Sequence, residues 1–152
     1  MNPEITSGVL EVYNSVVSIE NYLAGDLYSI GTGFVYKKDN ERAYIITNYH
    51  VISSVNETYI VFPNDKKYKT KVVGYDEYQD IAVLSVPVLD EIKSVKIGSS
   101  KDMKLGDTTF TIGTPIDQRL YSFTVTKGIL SGKDRLIEYK LPKNHGVNES
   151  YF

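Results

Sequence analysis

Apolar and polar positions alternate over short stretches along most of this chain, and turn residues recur between them. The first such stretch is Val16-Val17-Ser18-Ile19-Glu20-Asn21-Tyr22, which reads as a strand. Leu27 to Tyr36 and Ala43 to Thr47 read as a hairpin around Lys38-Asp39-Asn40-Glu41. Thr58 to Phe62 and Tyr68 to Gly74 read as a second hairpin around Asn64-Asp65. Ile81 to Val86 is nearly continuous in apolar residues, the pattern of a buried strand. Later come Thr108 to Ile112, Tyr121 to Leu130 and a weaker strand from Leu136 to Leu141, before a polar, turn-like tail from Pro142 to Phe152. Only Glu4 to Tyr13 breaks the period: Ile5, Val9, Val12 and Tyr13 fall at helical spacing. Many short strands without alternating helices predict an all-β barrel or sandwich.

The length, 152 residues, allows one domain or two small barrels sharing a cleft. The predicted divisions are an N-terminal segment over 1–14 and two β regions over 15–90 and 91–152. Pro87 to Ser94 is the expected linker, because it combines a proline with mixed charge between two β regions.

A net charge of −2 provides no electrostatic footprint for nucleic acid. The short basic pairs Lys37-Lys38 and Lys66-Lys67 lie next to Asp39 and Asp65 and read as solvated hairpin tips, with a polyanion patch as the alternative. The absence of cysteine removes disulfides, thiolate catalysis and thiolate-bound zinc together. With His50 and His145 the only histidines, a histidine-rich metal site is also not expected, and no cofactor is implied. No run of about eighteen apolar residues exists to span a membrane. The start, Met1-Asn2-Pro3-Glu4, lacks the basic and apolar regions of a signal peptide.

Two positions stand out chemically. His50 follows Ile45-Ile46-Thr47 and precedes Val51-Ile52, so a strand delivers it to what reads as one helical turn. Asp80 lies thirty residues later at the mouth of the apolar strand Ile81 to Val86. A carboxylate there needs a partner, since burying it alone is costly. One reading pairs it with His50 as the orienting acid of a general base. The other makes His50 a structural histidine capping its turn and Asp80 an ordinary turn aspartate. No serine has the setting of a nucleophile, because no Gly-x-Ser-x-Gly occurs. Ser99 and Ser100 precede Lys101-Asp102 in a turn, Ser131 ends a strand, and Ser150 sits in the tail. Gly31 and Gly33 interrupt a strand, either to admit a substrate backbone or to relieve a barrel corner. Gly113 and Gly128 read as turn and packing positions.

In order along the chain, Gly31-Thr32-Gly33-Phe34-Val35, Ile45-Ile46-Thr47-Asn48-Tyr49-His50-Val51-Ile52 and Asp80-Ile81-Ala82-Val83-Leu84 resemble the HtrA/DegP family of trypsin-like serine proteases. Downstream, Ile97-Gly98-Ser99-Ser100, Leu105-Gly106-Asp107, Thr111-Ile112-Gly113-Thr114-Pro115 and Thr124-Val125-Thr126-Lys127-Gly128-Ile129-Leu130-Ser131 continue the match. The resemblance implies a chymotrypsin-like double β-barrel, all-β, with a first barrel over 15–90 and a partial second barrel over 91–152, with His50 as general base, Asp80 as orienting acid and no metal or organic cofactor. It implies polypeptide substrates, unfolded or misfolded, a setting outside the cytoplasm or at the cell surface, and homo-oligomers, often trimers. The family places its serine in a Gly-Asn-Ser-Gly-Gly segment, which falls just beyond Phe152. The chain is therefore expected to be the N-terminal part of a protease domain, inactive alone, with its second barrel incomplete and its last strand lacking a neighbour. A non-catalytic peptide-binding module built on the same fold is the competing expectation.

Overall fold

A computed structural model of the chain describes residues 3–87, 92–114, 123–134, 139–140 and 150–151. Helix α1 spans Pro3–Val12, and one 3-10 turn, Tyr13–Ser15, leads from it into β1, Val16–Leu23. The chain then alternates along β2 (Asp26–Lys38), β3 (Arg42–Thr47), β4 (Glu57–Val61), β5 (Lys67–Lys69), β6 (Lys71–Asp76) and β7 (Ile81–Pro87). A single helical turn, α2, occupies Tyr49–Ile52 between β3 and β4.

These seven strands form one sheet in the order β5-β4-β1-β2-β3-β7-β6. Its two ends are consecutive in sequence. The stretch 67–76 pairs first with β4, through Tyr59↔Lys69, and then with β7, through Lys71↔Ser85. Thr70 marks the change of partner; its N–H and hydroxyl both donate to the Thr58 carbonyl, at 3.0 and 2.9 Å. One bent stretch of chain thus curls the sheet round on itself, which removes most of the exposed edge a flat sheet would present. The predicted second hairpin is corrected accordingly. Only β5 returns along β4, and the rest of that stretch, β6, belongs to β7.

Side-chain alternation fills the interior. Along β1, Val17 and Ile19 point inward; along β3, Ala43 and Ile45; along β4, Ile60; along β7, Ala82, Leu84 and Val86. All are fully buried, and each large one contributes about 1.5–3 kcal/mol by leaving water. Ile81 is 41% exposed while Ser85, on the same face, is buried, so this nearly continuous apolar strand covers its second face only in part. Gly33 lies where a Cβ would meet Ile45 Cγ2 at 2.8 Å and the Ile46 carbonyl at 2.9 Å.

The expected linker behaves differently from a free spacer. Residues 88–91 lie outside the described residues, but Ile92 is buried in the core of the first sheet, and the Val95 N–H donates to the Val35 carbonyl at 2.9 Å. Beyond it, β8 (Thr108–Gly113) and β9 (Thr124–Ile129) form a two-stranded antiparallel sheet. Every residue of β9 is exposed. The second sheet meets the N-terminus at Gly8, whose bare Cα faces the Phe110 ring, and at Tyr13, edge-on to Phe123 with centroids 5.5 Å apart. Of the predicted strand Leu136 to Leu141, Tyr139–Lys140 is described as β10, antiparallel to β11, Ser150–Tyr151. The expectation that this strand has no neighbour is therefore corrected for its described residues, which pair as Tyr139↔Tyr151 and Lys140↔Ser150. The architecture is mostly strand, as expected for a trypsin-like fold, with a curled first sheet and a small second one.

Candidate active site

The candidate site begins where β3 ends. Thr47, buried at the strand's last position, donates its hydroxyl to the Thr32 carbonyl at 2.9 Å and ties β3 to β2. Asn48 follows in extended conformation and opens α2. The turn places His50 on the surface, its side chain 71% exposed.

Asp80 reaches His50 from the loop before β7. Its backbone is left-handed, with φ 55°, a conformation aspartate tolerates better than most residues. One carboxylate oxygen accepts the His50 backbone N–H at 2.8 Å, and the other lies 2.6 Å from His50 Nδ1. The Asp80 carbonyl in turn accepts from Asn48 Nδ2 at 2.9 Å. The aspartate therefore holds the histidine by backbone and ring at once. An ionised carboxylate only accepts hydrogen bonds, so Nδ1 carries the proton. In the neutral ring this leaves the Nε2 lone pair directed away from Asp80, free to take a proton from a hydroxyl brought to it.

Around this pair the turn is held on several sides. Gly31 lies under Val51; a Cβ there would stand 2.5 Å from Val51 Cγ1. The strand glycine thus admits a side chain from its own chain, which is neither the substrate approach nor the barrel corner expected of it. Tyr49 stacks on Tyr75 with centroids 4.8 Å apart and donates its hydroxyl to Glu77 at 3.1 Å. Burial, and then the Glu77 carboxylate, push the Tyr49 phenol above its ordinary pKa. Asn21, fully buried on β1, donates to the Val51 carbonyl at 2.7 Å and to Ser29 Oγ at 3.1 Å, and accepts from the Thr58 hydroxyl at 2.9 Å. A cleft of about 240 Å³ opens beside the turn, lined by Val16, Thr32, Phe34, Asn48, Ile81 and Ile112. The two sheets also meet there, where the Thr114 N–H donates to Thr32 Oγ1 at 2.9 Å.

The serines have structural partners. Ser53 donates to the His50 carbonyl at 3.2 Å, Ser85 accepts from Arg42 Nε at 2.9 Å, and Ser99 accepts from the Lys101 N–H at the start of a 3-10 turn. The side chain of Ser150 lies outside the described residues. Among the described residues no group of three metal-ligating side chains comes together, and no helix is long and apolar enough to cross a membrane. Asn48, Tyr49 and Asn21 were not singled out from sequence. The first two adjoin His50, which is a usable signal; Asn21 offers none, because its partners come from three other elements.

Residues 31–152 match the family described as Trypsin-like peptidase domain. The serine protease Do-like HtrA of Lactococcus lactis subsp. cremoris is 34% identical, over 90% of this chain and 39% of its own length. The corresponding protein of Lactobacillus helveticus is 36% identical, over 87% of this chain and 33% of its own length. Among solved structures, a serine endoprotease from Yersinia pestis superposes with a TM-score of 0.73 at 26% identity, over 85% of this chain and 44% of that one. The chain thus spans about two fifths or less of the curated relatives it matches.

Proposed function

Because this chain belongs to the trypsin-like peptidase family, with HtrA serine proteases among its relatives, we propose that it carries the general base and the orienting acid of an HtrA-like serine endopeptidase. The observation that carries the reading is the double grip of Asp80 on His50, through the ring at 2.6 Å and the backbone at 2.8 Å. In this role His50 Nε2 takes the proton of an attacking serine hydroxyl and later gives it to the leaving amine. Asp80 keeps the imidazole in the tautomer that makes this possible and stabilises the imidazolium. The nucleophile is assigned to a Gly-Asn-Ser-Gly-Gly segment outside these 152 residues. The substrates are unfolded or misfolded polypeptides, the setting is extracytoplasmic, and the complete protease is a homo-oligomer.

The test uses the complete protease and the 152-residue chain side by side, with casein as substrate and a fluorophosphonate as serine probe. The complete protease is expected to be labelled and to cleave casein, and His50→Ala to abolish both. Asp80→Asn is expected to lower kcat by about 10⁴-fold while leaving the fold intact. The 152-residue chain is expected to remain unlabelled. Labelling of a serine within it, lost on His50→Ala, would overturn the assignment of the nucleophile. Full activity in His50→Ala would overturn the reading of His50 as general base, and a complete protease that neither cleaves casein nor takes the probe would leave the fold as a peptide-binding module.

A further inference from the structure

The His50 turn is one turn long, closed by the Ser53 N–H on the Tyr49 carbonyl at 3.0 Å, and too short to hold its own shape, since helix nucleation is unfavourable and the last carbonyls of a helix lack intrahelical partners. Something else must fix it. Asp80 secures its first half through the His50 N–H. The second half is secured by the carbonyl of Val51, which accepts from Asn21 at 2.7 Å.

Asn21 is an unusual residue for its position. Alternation along β1 sends Val17, Ile19 and Asn21 to the inner face, and the first two enter the apolar core. An amide in that place is costly unless its hydrogen bonds are made. Here they are made: both protons of Nδ2 are donated, to Val51 O and Ser29 Oγ, and Oδ1 accepts from Thr58. The orientation follows from chemistry, because a carbonyl can only accept and the amide nitrogen must face it. Two of the three partners, Ser29 and Thr58, lie on β2 and β4. The third is the residue next to the histidine.

We propose that Asn21 is a positioning residue for His50. It anchors the far end of the histidine turn to the rigid wall of the barrel, so that the imidazole stays in line with Asp80. The inference rests on the reading of His50 as general base, for which displacement of the base by an ångström matters. It does not require turnover to be tested.

The readout is the His50 Nδ1 proton, observed by NMR in the 152-residue chain labelled with ¹⁵N. Asn21→Asp keeps the shape and the acceptor for Thr58 but removes the donors. Asn21→Ser shortens the side chain out of reach of Val51. Each is expected to speed exchange of the Nδ1 proton with solvent by about tenfold, the scale of one lost buried hydrogen bond. Thr58→Val removes a hydrogen bond from the same network without touching Val51, and is expected to leave the proton at its wild-type rate. In the unsubstituted protein the Asn21 side-chain amide protons should exchange far more slowly than those of exposed Asn40. This last measurement stands even where a variant fails to fold. Folded Asn21 variants with an unchanged Nδ1 proton, equal acceleration in Thr58→Val, or freely exchanging Asn21 amide protons would each overturn the proposal. Absence of a protected Nδ1 proton in the unsubstituted protein would instead remove the His50–Asp80 pair itself, a separate failure.

Discussion

Gly31 shows how narrowly the histidine turn is fitted. Its Cα lies against Val51, and a methyl group there would overlap Val51 Cγ1 at 2.5 Å. Either the strand or the turn must move, and overpacking of this kind costs about 1–3 kcal/mol. Gly31→Ala is therefore expected to lower the thermal midpoint and to weaken the Nδ1 proton signal of His50 together, as calorimetry and NMR would register. His50, Asp80 and Gly31 were all visible in the sequence, because each sits at a strand end or interrupts a strand. Asn21 was not. Its burial follows from alternation, but its role depends on partners 8, 30 and 37 residues away, which no local pattern records.

Among the elements, the β2–β3 hairpin carries its own electrostatic fastening. Asp39 accepts the backbone N–H groups of Glu41 and Arg42 at 2.8 and 2.7 Å, and the Tyr44 hydroxyl at 3.1 Å. The Arg42 and Glu41 amides hold its carboxyl below the ordinary aspartate value of 3.8. A depressed carboxylate stabilises the fold above its unfolded pKa, and that contribution is lost as pH falls through the lower folded value. Thermal midpoints measured from about pH 5 down to pH 2 should therefore fall less steeply in Asp39→Asn than in the parent. Asparagine can still accept the amide bonds but has no proton to bind. Hairpins such as this were legible because the turn residues lie between two alternating runs. The division of 67–76 between β4 and β7 was not, since a change of partner at Thr70 answers to closure of the whole sheet rather than to its own residues.

For the whole molecule, cohesion is uneven. The buried apolar cluster lies in the first sheet together with Ile52, Phe62 and Ile92, while β9 is exposed along its full length. Native-state hydrogen exchange should find the slowest amides in β1, β3 and β7 and much faster exchange in β8 and β9, because local opening costs least where little apolar surface is buried. Uniform protection across both sheets would contradict this. The all-β character was legible from strand spacing, and the trypsin-like fold from the ordered motifs. The depth to which Ile92 is drawn back into the first sheet was not, because a short charged segment with a proline reads locally as a spacer.

The bent stretch 67–76 also decides where the molecule is vulnerable to its own copies. A sheet whose first and last members are one continuous run leaves little backbone along its sides to template another chain. Among the described residues, the two-stranded sheet of β8 and β9 has no such closure. When these chains associate unintentionally, growth should start at that small sheet, with the first barrel carried along intact, so that aggregates retain a protease-resistant core ending near Val95.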